Sequence, residues 1–138
     1  MSIAEDLIYN AEQYSGIEFT CKEDLVILAE AAHESTNHEL FNDIAFGSKY
    51  VNGLFRTLKK ADEIKEINSV EHIKKDLQEA FVSLTSKLQH LINITPHEHS
   101  ERLKNTYLAS NEEGFSALTK LLLDFEEIKK FLNYLQHS

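Results

Sequence analysis

From residue 70 onward, large apolar side chains recur at intervals of three and four residues. Val70, Ile73, Leu77, Phe81, Leu84, Leu88 and Leu91 form one such row, and Leu118, Leu121, Phe125, Ile128, Leu132 and Leu135 form another. An α-helix turns once in about 3.6 residues, so this spacing lines each row along one side of a helix, whereas a half-buried strand would alternate with a period of about two. Rows of this length are the apolar seams of helices that pack nearly antiparallel in a bundle. Leu40, Ile44, Val51, Leu54, Phe55 and Leu58 make a third seam, and Ile3, Leu7, Ile8, Ala11 and Tyr14 make a shorter fourth one that ends near Gly16. No stretch alternates as a strand would.

Helix starts carry their own signal. A Ser or Thr followed three residues later by Glu can satisfy two backbone donors that a helix start leaves without partners. The pattern occurs at Ser2 and Glu5, Thr20 and Glu23, Thr36 and Glu39, Thr95 and Glu98, and Ser110 and Glu113, with Asn68 and Glu71 as an Asn-capped variant. Pro96 then falls at the first helical position, where its missing N–H costs nothing. Together, seams and caps predict helices near 3–14, 21–34, 37–61, 69–92, 96–109 and 111–136. Ser35-Thr36-Asn37 is poor helix interior, because these side chains compete for backbone hydrogen bonds. It reads either as a break or as a bend within one long helix, and Ala109-Ser110-Asn111 poses the same choice. Residues 96–109 carry few apolar side chains, so this helix is expected to be the least buried.

The expected fold is all-α: an up-and-down, four-helix-bundle-like domain spanning 1–138, with a short extra helix at the N-terminus. Its main members are 37–61, 69–92 and 111–136. With 138 residues, of which 42% are apolar, the chain can build one core and is not disordered by composition. The longest run of large aliphatic residues is Leu121-Leu122-Leu123, far short of the roughly 20 that a membrane span needs. The start is acidic and lacks the basic, then apolar, pattern of a secretory signal. A cytoplasmic location and no membrane partner are expected. Cys21 is the one cysteine, so no internal disulfide or thiolate zinc site can form, and a small buried thiol is its expected role.

The formal charge is −9 and is unevenly placed. Residues 1–40 hold nine acids and one base, Lys22, for −8, while residues 41–138 hold 14 acids and 13 bases, for −1. This balance excludes the basic face that nucleic-acid binding requires. The acidic third either forms a solvated face or steers a basic partner.

The densest polar stretch is residues 30–39. Glu30 and His33 have the Glu-x-x-His spacing that aims two ligands inward from one helix in carboxylate-bridged metal bundles. If the helix continued through residue 37, Glu30, His33 and Asn37 would point toward the 40–51 seam. The other seams offer no Glu, Asp or His at a core position to complete such a site.

His38-Glu39-Leu40-Phe41-Asn42 resembles the phosphoacceptor box of sensor histidine kinases, His-Glu/Asp-x-x-Asn/Thr. The resemblance implies that His38 takes a phosphoryl group, that Glu39 acts as base and orients the ring, and that Asn42 assists by hydrogen bonding. It implies a phosphotransfer hairpin over roughly residues 22–92. The chain departs from the family where Asp43 replaces the Pro common after the helper residue, and where no ATP-binding lobe follows. His72 and His90 fall beside the 70–91 seam, and His97 and His99 point apart on their helix.

No phosphate-cradling glycine loop, nucleophile elbow or inward carboxylate pair is present, and no cofactor is implied. The leading expectation is a non-enzymatic interaction or regulatory module that works through helix faces or self-association. The alternatives are phosphotransfer through His38 and a metal-binding bundle using Glu30 and His33.

Overall fold

A computed structural model describes residues 2–16, 19 and 22–108. These residues form five helices and, among themselves, no strand: α1 (Ile3–Ser15), α2 (Lys22–Glu34), α3 (His38–Glu63), α4 (Ile67–Asn93) and α5 (His97–Tyr107). The fold is all-α, and its helices pack against one another as a bundle. The expected helix 111–136 with its seam, the caps at Thr20 and Ser110, the join at Ala109–Asn111, and Cys21 all lie outside the described residues.

α3 and α4 form an antiparallel hairpin and make the most extensive contact in the molecule. The seam residues Leu40, Ile44, Val51, Phe55 and Leu58 of α3 meet Leu77, Leu84, Leu88 and Leu91 of α4, all buried. Burying a side chain of this kind contributes about 1.5–3 kcal/mol relative to leaving it in water. α1 and α2 cover the other side of α3, α2 also touches α4, and α5 packs on α4. Leu54, Val70, Ile73 and Phe81 line the edges of this core, half-buried. Every buried side-chain nitrogen and oxygen among the described residues has a hydrogen-bond partner. Ser48, buried on α3, achieves this within its own helix by donating to the Ile44 carbonyl, and buried Asn52 Nδ2 donates to the Ser48 carbonyl, each at 2.8 Å.

The helix ends confirm some expected caps and correct others. Ser2 Oγ accepts from Glu5 N at 3.1 Å, as the capping pattern predicts, and Glu5 and Asp6 place negative charge at the positive end of α1. Gly16 closes α1 in the left-handed region, φ 72°. At the start of α3 the cap is Asn37 rather than Thr36: Asn37 Oδ1 accepts from Leu40 N at 3.2 Å. α4 begins at Ile67, ahead of Asn68, and Ser69 Oγ bonds back to Glu66 Oε2 instead. Thr95 does not cap α5, since its buried hydroxyl donates to the Leu91 carbonyl at 2.9 Å and so serves the end of α4. Pro96 is correspondingly the residue before α5 rather than its first.

Residues 35–37 break the helix. Thr36 adopts φ 55°, its N–H donates to His33 O, and Asn37 N–H donates to Ala32 O. This pair of reversed bonds is a Schellman closure, built here without glycine. The same closure ends α3, where Lys65 has φ 61°, its N–H reaches Asp62 O, and Glu66 N–H reaches Ala61 O. A further expectation is overturned at α5. Of its 11 residues, Ser100, Leu103 and Tyr107 are buried, a larger share than the five of 27 in α4, so α5 is not the least buried helix. Its few apolar side chains all face inward.

Candidate functional site

The break between α2 and α3 determines what the polar stretch 30–39 can do. With the helix interrupted, Asn37 serves as cap and does not join Glu30 and His33 on a common inward face. Glu30 is exposed and His33 is half-buried in the last turn of α2. The chain reverses through Thr36 and brings His38, in the first turn of α3, back against His33. His33 Nδ1 and His38 Nε2 lie 2.8 Å apart, and the ring centroids are separated by 5.1 Å with 29° between planes. Two imidazoles meeting nitrogen to nitrogen place their centroids about this far apart, so the bond runs nearly end-on. One nitrogen must donate and the other accept. The negative end of α2 favours the donor on His33, and the positive end of α3 favours the acceptor on His38.

That bond bears on the three residues of the phosphoacceptor box. His38, Glu39 and Asn42 are all exposed on α3. His38 is bonded to His33 rather than to Glu39 or Asn42, and its Nε2 faces His33. An incoming phosphoryl group would have to displace that ring. Among the described residues, no group of three or more His, Cys, Asp or Glu side chains converges as a metal site. His72 and His90 are exposed, with His72 3.6 Å from Asp76, and His99 is 3.5 Å from Glu98.

Farther along α3, outside its seam, lie aromatic residues. Phe46 is 50% exposed, Tyr50 is 56% exposed, and across from them on α1 Tyr14 is 49% exposed. Tyr14 and Phe46 meet edge to face, with centroids 4.4 Å apart and planes at 64°, and Lys49 Nζ lies 4.7 Å from the Tyr14 ring centre. Phe46 stands between two shallow grooves. One runs along α1 past Asn10, Ala11, Tyr14 and Asn42. The other runs along α4 past Tyr50, Ala80, Ser83 and Lys87. The α3–α4 groove owes its floor to Gly47, whose absent Cβ would lie 3.0 Å from Leu84 Cδ1.

A third cluster joins residues from distant parts of the chain. Asp24 on α2 accepts from Arg102 Nη2 at 2.8 Å and from the Tyr107 hydroxyl, both on α5. Partial burial pushes the Asp24 carboxyl up, but the two hydrogen bonds and the Arg102 charge outweigh it and hold the group below its ordinary value. The Asp24 bond in turn raises the Arg102 guanidinium. Sequence reasoning missed this tie, because residues about 80 positions apart leave no periodic trace of their contact. It also missed the aromatic face. Tyr14, read from the sequence as the end of the α1 seam, is half exposed, as is Ile3 at its start, and the remaining signal is the spacing of Phe46 and Tyr50, four apart and off the α3 seam.

No protein-family model, curated protein or solved structure matches this chain. Among the described residues, no helix is long and apolar enough to cross a membrane.

Proposed function

We propose that this chain is a non-enzymatic helical interaction module whose contact face is the outer side of α3. The observation that carries this reading is the aromatic group Tyr14, Phe46 and Tyr50, each about half exposed and placed on the side of the bundle away from its core. Aromatic residues left on a surface at this density mark binding faces, since a partner recovers their apolar area. Lys49 and Lys87 at the edge of the face supply polar contacts for its rim. The acidic first third adds steering. Glu12 and Asp24 are engaged in internal contacts, whereas Glu5, Asp6, Glu23, Glu30, Glu34 and Glu39 are exposed and free to draw in a basic partner. A photoreactive residue at position 50 should give a discrete adduct in the cells that make the protein, and one at exposed Val82, on another face of α4, should not. If neither position gives an adduct and the purified chain stays monomeric, the reading fails. If association is steered, its rate should fall as added salt shortens the Debye length.

A second reading, histidine phosphotransfer, draws support from the exposure of His38 and Asn42 one turn apart at the start of α3. Incubation with phosphorylated receiver domains tests it: an acid-labile label should appear on the wild type, increase in His33→Ala, which frees the accepting nitrogen, and vanish in His38→Gln. No label on the wild type across several receivers removes this reading.

A further inference from the structure

We infer that His33 and His38 form a two-imidazole clamp for a divalent transition-metal ion of tetragonal preference, Cu²⁺ or Ni²⁺. The inference is independent of the aromatic face. The pair lies at the surface, with His38 exposed and His33 half-buried, and its two nitrogens are 2.8 Å apart. Metal–imidazole bonds of about 2.0–2.1 Å meeting at a right angle place the two nitrogens about 2.9 Å apart, whereas a tetrahedral angle spreads them to about 3.3 Å. The hydrogen-bonded pair already holds its nitrogens about that close, so a right-angle bite asks the rings to turn but not to move apart.

The backbone brings the two rings together. The Schellman closure through Thr36 and the Asn37 cap set the end of α2 against the start of α3, so the two rings start from a defined joint rather than a loose loop. What must change on binding is orientation. The lone pair of His38 now points along the hydrogen bond toward His33, so the ring must swing off that line to face a shared ion. The exposed His38 ring has room to do so. The proton on His33 Nδ1 moves to its Nε2 by tautomer exchange through water, so a neutral pair binds the ion without net proton release. No third protein ligand among the described residues joins the clamp, and the remaining positions fall to water or an exogenous ligand. Exposed Glu30, Glu34 and Glu39, within a turn of the pair, favour a cation there.

The test is a calorimetric titration of the full chain with Cu²⁺, Ni²⁺ and Zn²⁺ in turn, together with imidazole nitrogen NMR to locate the ion. Loss even of an outer-shell partner weakens metal sites roughly tenfold or more. His33→Ala and His38→Ala should therefore each weaken the tightest site by at least about tenfold, with helicity unchanged. A double variant of His97 and His99 controls for the other close histidines and should bind as the wild type does. Wild-type affinity in His33→Ala or His38→Ala, or loss of the tightest site in the His97/His99 variant, would overturn the clamp. Zn²⁺ binding more tightly than both Cu²⁺ and Ni²⁺ would overturn its tetragonal geometry.

Discussion

The two sides of α3 both carry large hydrophobic residues, and these have opposite fates. Leu40, Ile44, Val51, Phe55 and Leu58 repeat at helical spacing and are buried, Val51 completely. Phe46 and Tyr50 fall off that spacing and remain half exposed. Hydrophobicity alone therefore does not determine which residues form the core. Phase on the helix does, because only side chains aimed into the packed helices α1, α2 and α4 are covered, and what is out of phase is left for something else to cover.

The largest expected effect breaks this contrast directly. Phe55→Ala should cost about 3–5 kcal/mol, because it removes a buried ring and leaves a cavity. Phe46→Ala, the same substitution on the other side, should cost about 1 kcal/mol or less, mainly the edge-to-face contact with Tyr14. Chemical denaturation of both variants measures the difference, and equal losses would mean that the outer side is core as well.

Next comes the tie between Asp24 on α2 and Arg102 and Tyr107 on α5. Tyr107→Phe removes one of the two donors on Asp24 and should cost about 1.5–3 kcal/mol, the range for a hydrogen bond to a charged group. The carboxyl is held below its ordinary value of 3.8, so its contribution to stability is fully present above that pH. It fades as pH falls through the lowered native value. Stability measured from neutral pH downward should show this decline in the wild type, and Asp24→Asn should flatten it.

How far these features can be read from letters depends on whether they are local. The seams on α3 and α4 were legible because helical period writes burial into spacing, and Ser2 was legible because its partner is three residues away. The helix closures at Thr36 and Lys65 were not, because a Schellman turn is expected at glycine and here falls on residues with no such preference. The His33–His38 pair depends on that unread turn: on an unbroken helix, residues five apart point in different directions. The Asp24–Tyr107 contact depends on the packing of whole helices, which no short window of sequence contains.

The closure at Thr36 sets where α3 begins. A β-branched residue in the left-handed region is strained by roughly 1–2 kcal/mol, part of which Thr36→Gly should recover. The greater freedom of glycine in the unfolded chain offsets some of this, so a net gain of about 1 kcal/mol is expected. The melting temperature should rise, and the His33–His38 bond should persist. A fall in stability would mean that the Thr36 side chain, whose hydroxyl donates to the Ser35 carbonyl at 2.7 Å, contributes more than its backbone costs.

The smallest effects separate the two glycines of α3, one set toward a neighbour and one toward solvent. Gly53 has nothing within 4 Å of where a Cβ would stand, and it is exposed in mid-helix. Gly53→Ala should therefore stabilise by about 0.5–1 kcal/mol, the full helix-propensity gain. Gly47 has the same propensity to gain, but its Cβ would meet Leu84 Cδ1 at 3.0 Å, and Leu84 is buried and cannot retreat into open space. Gly47→Ala should gain less than Gly53→Ala or lose stability outright. It should also narrow the groove between Phe46 and α4, which gives the pair a functional readout: crosslinking from position 50 should weaken in Gly47→Ala and be unchanged in Gly53→Ala. Equal stabilisation by the two substitutions would mean that α3 and α4 are not in close contact at Gly47, and the floor of that groove would then lie deeper than Leu84.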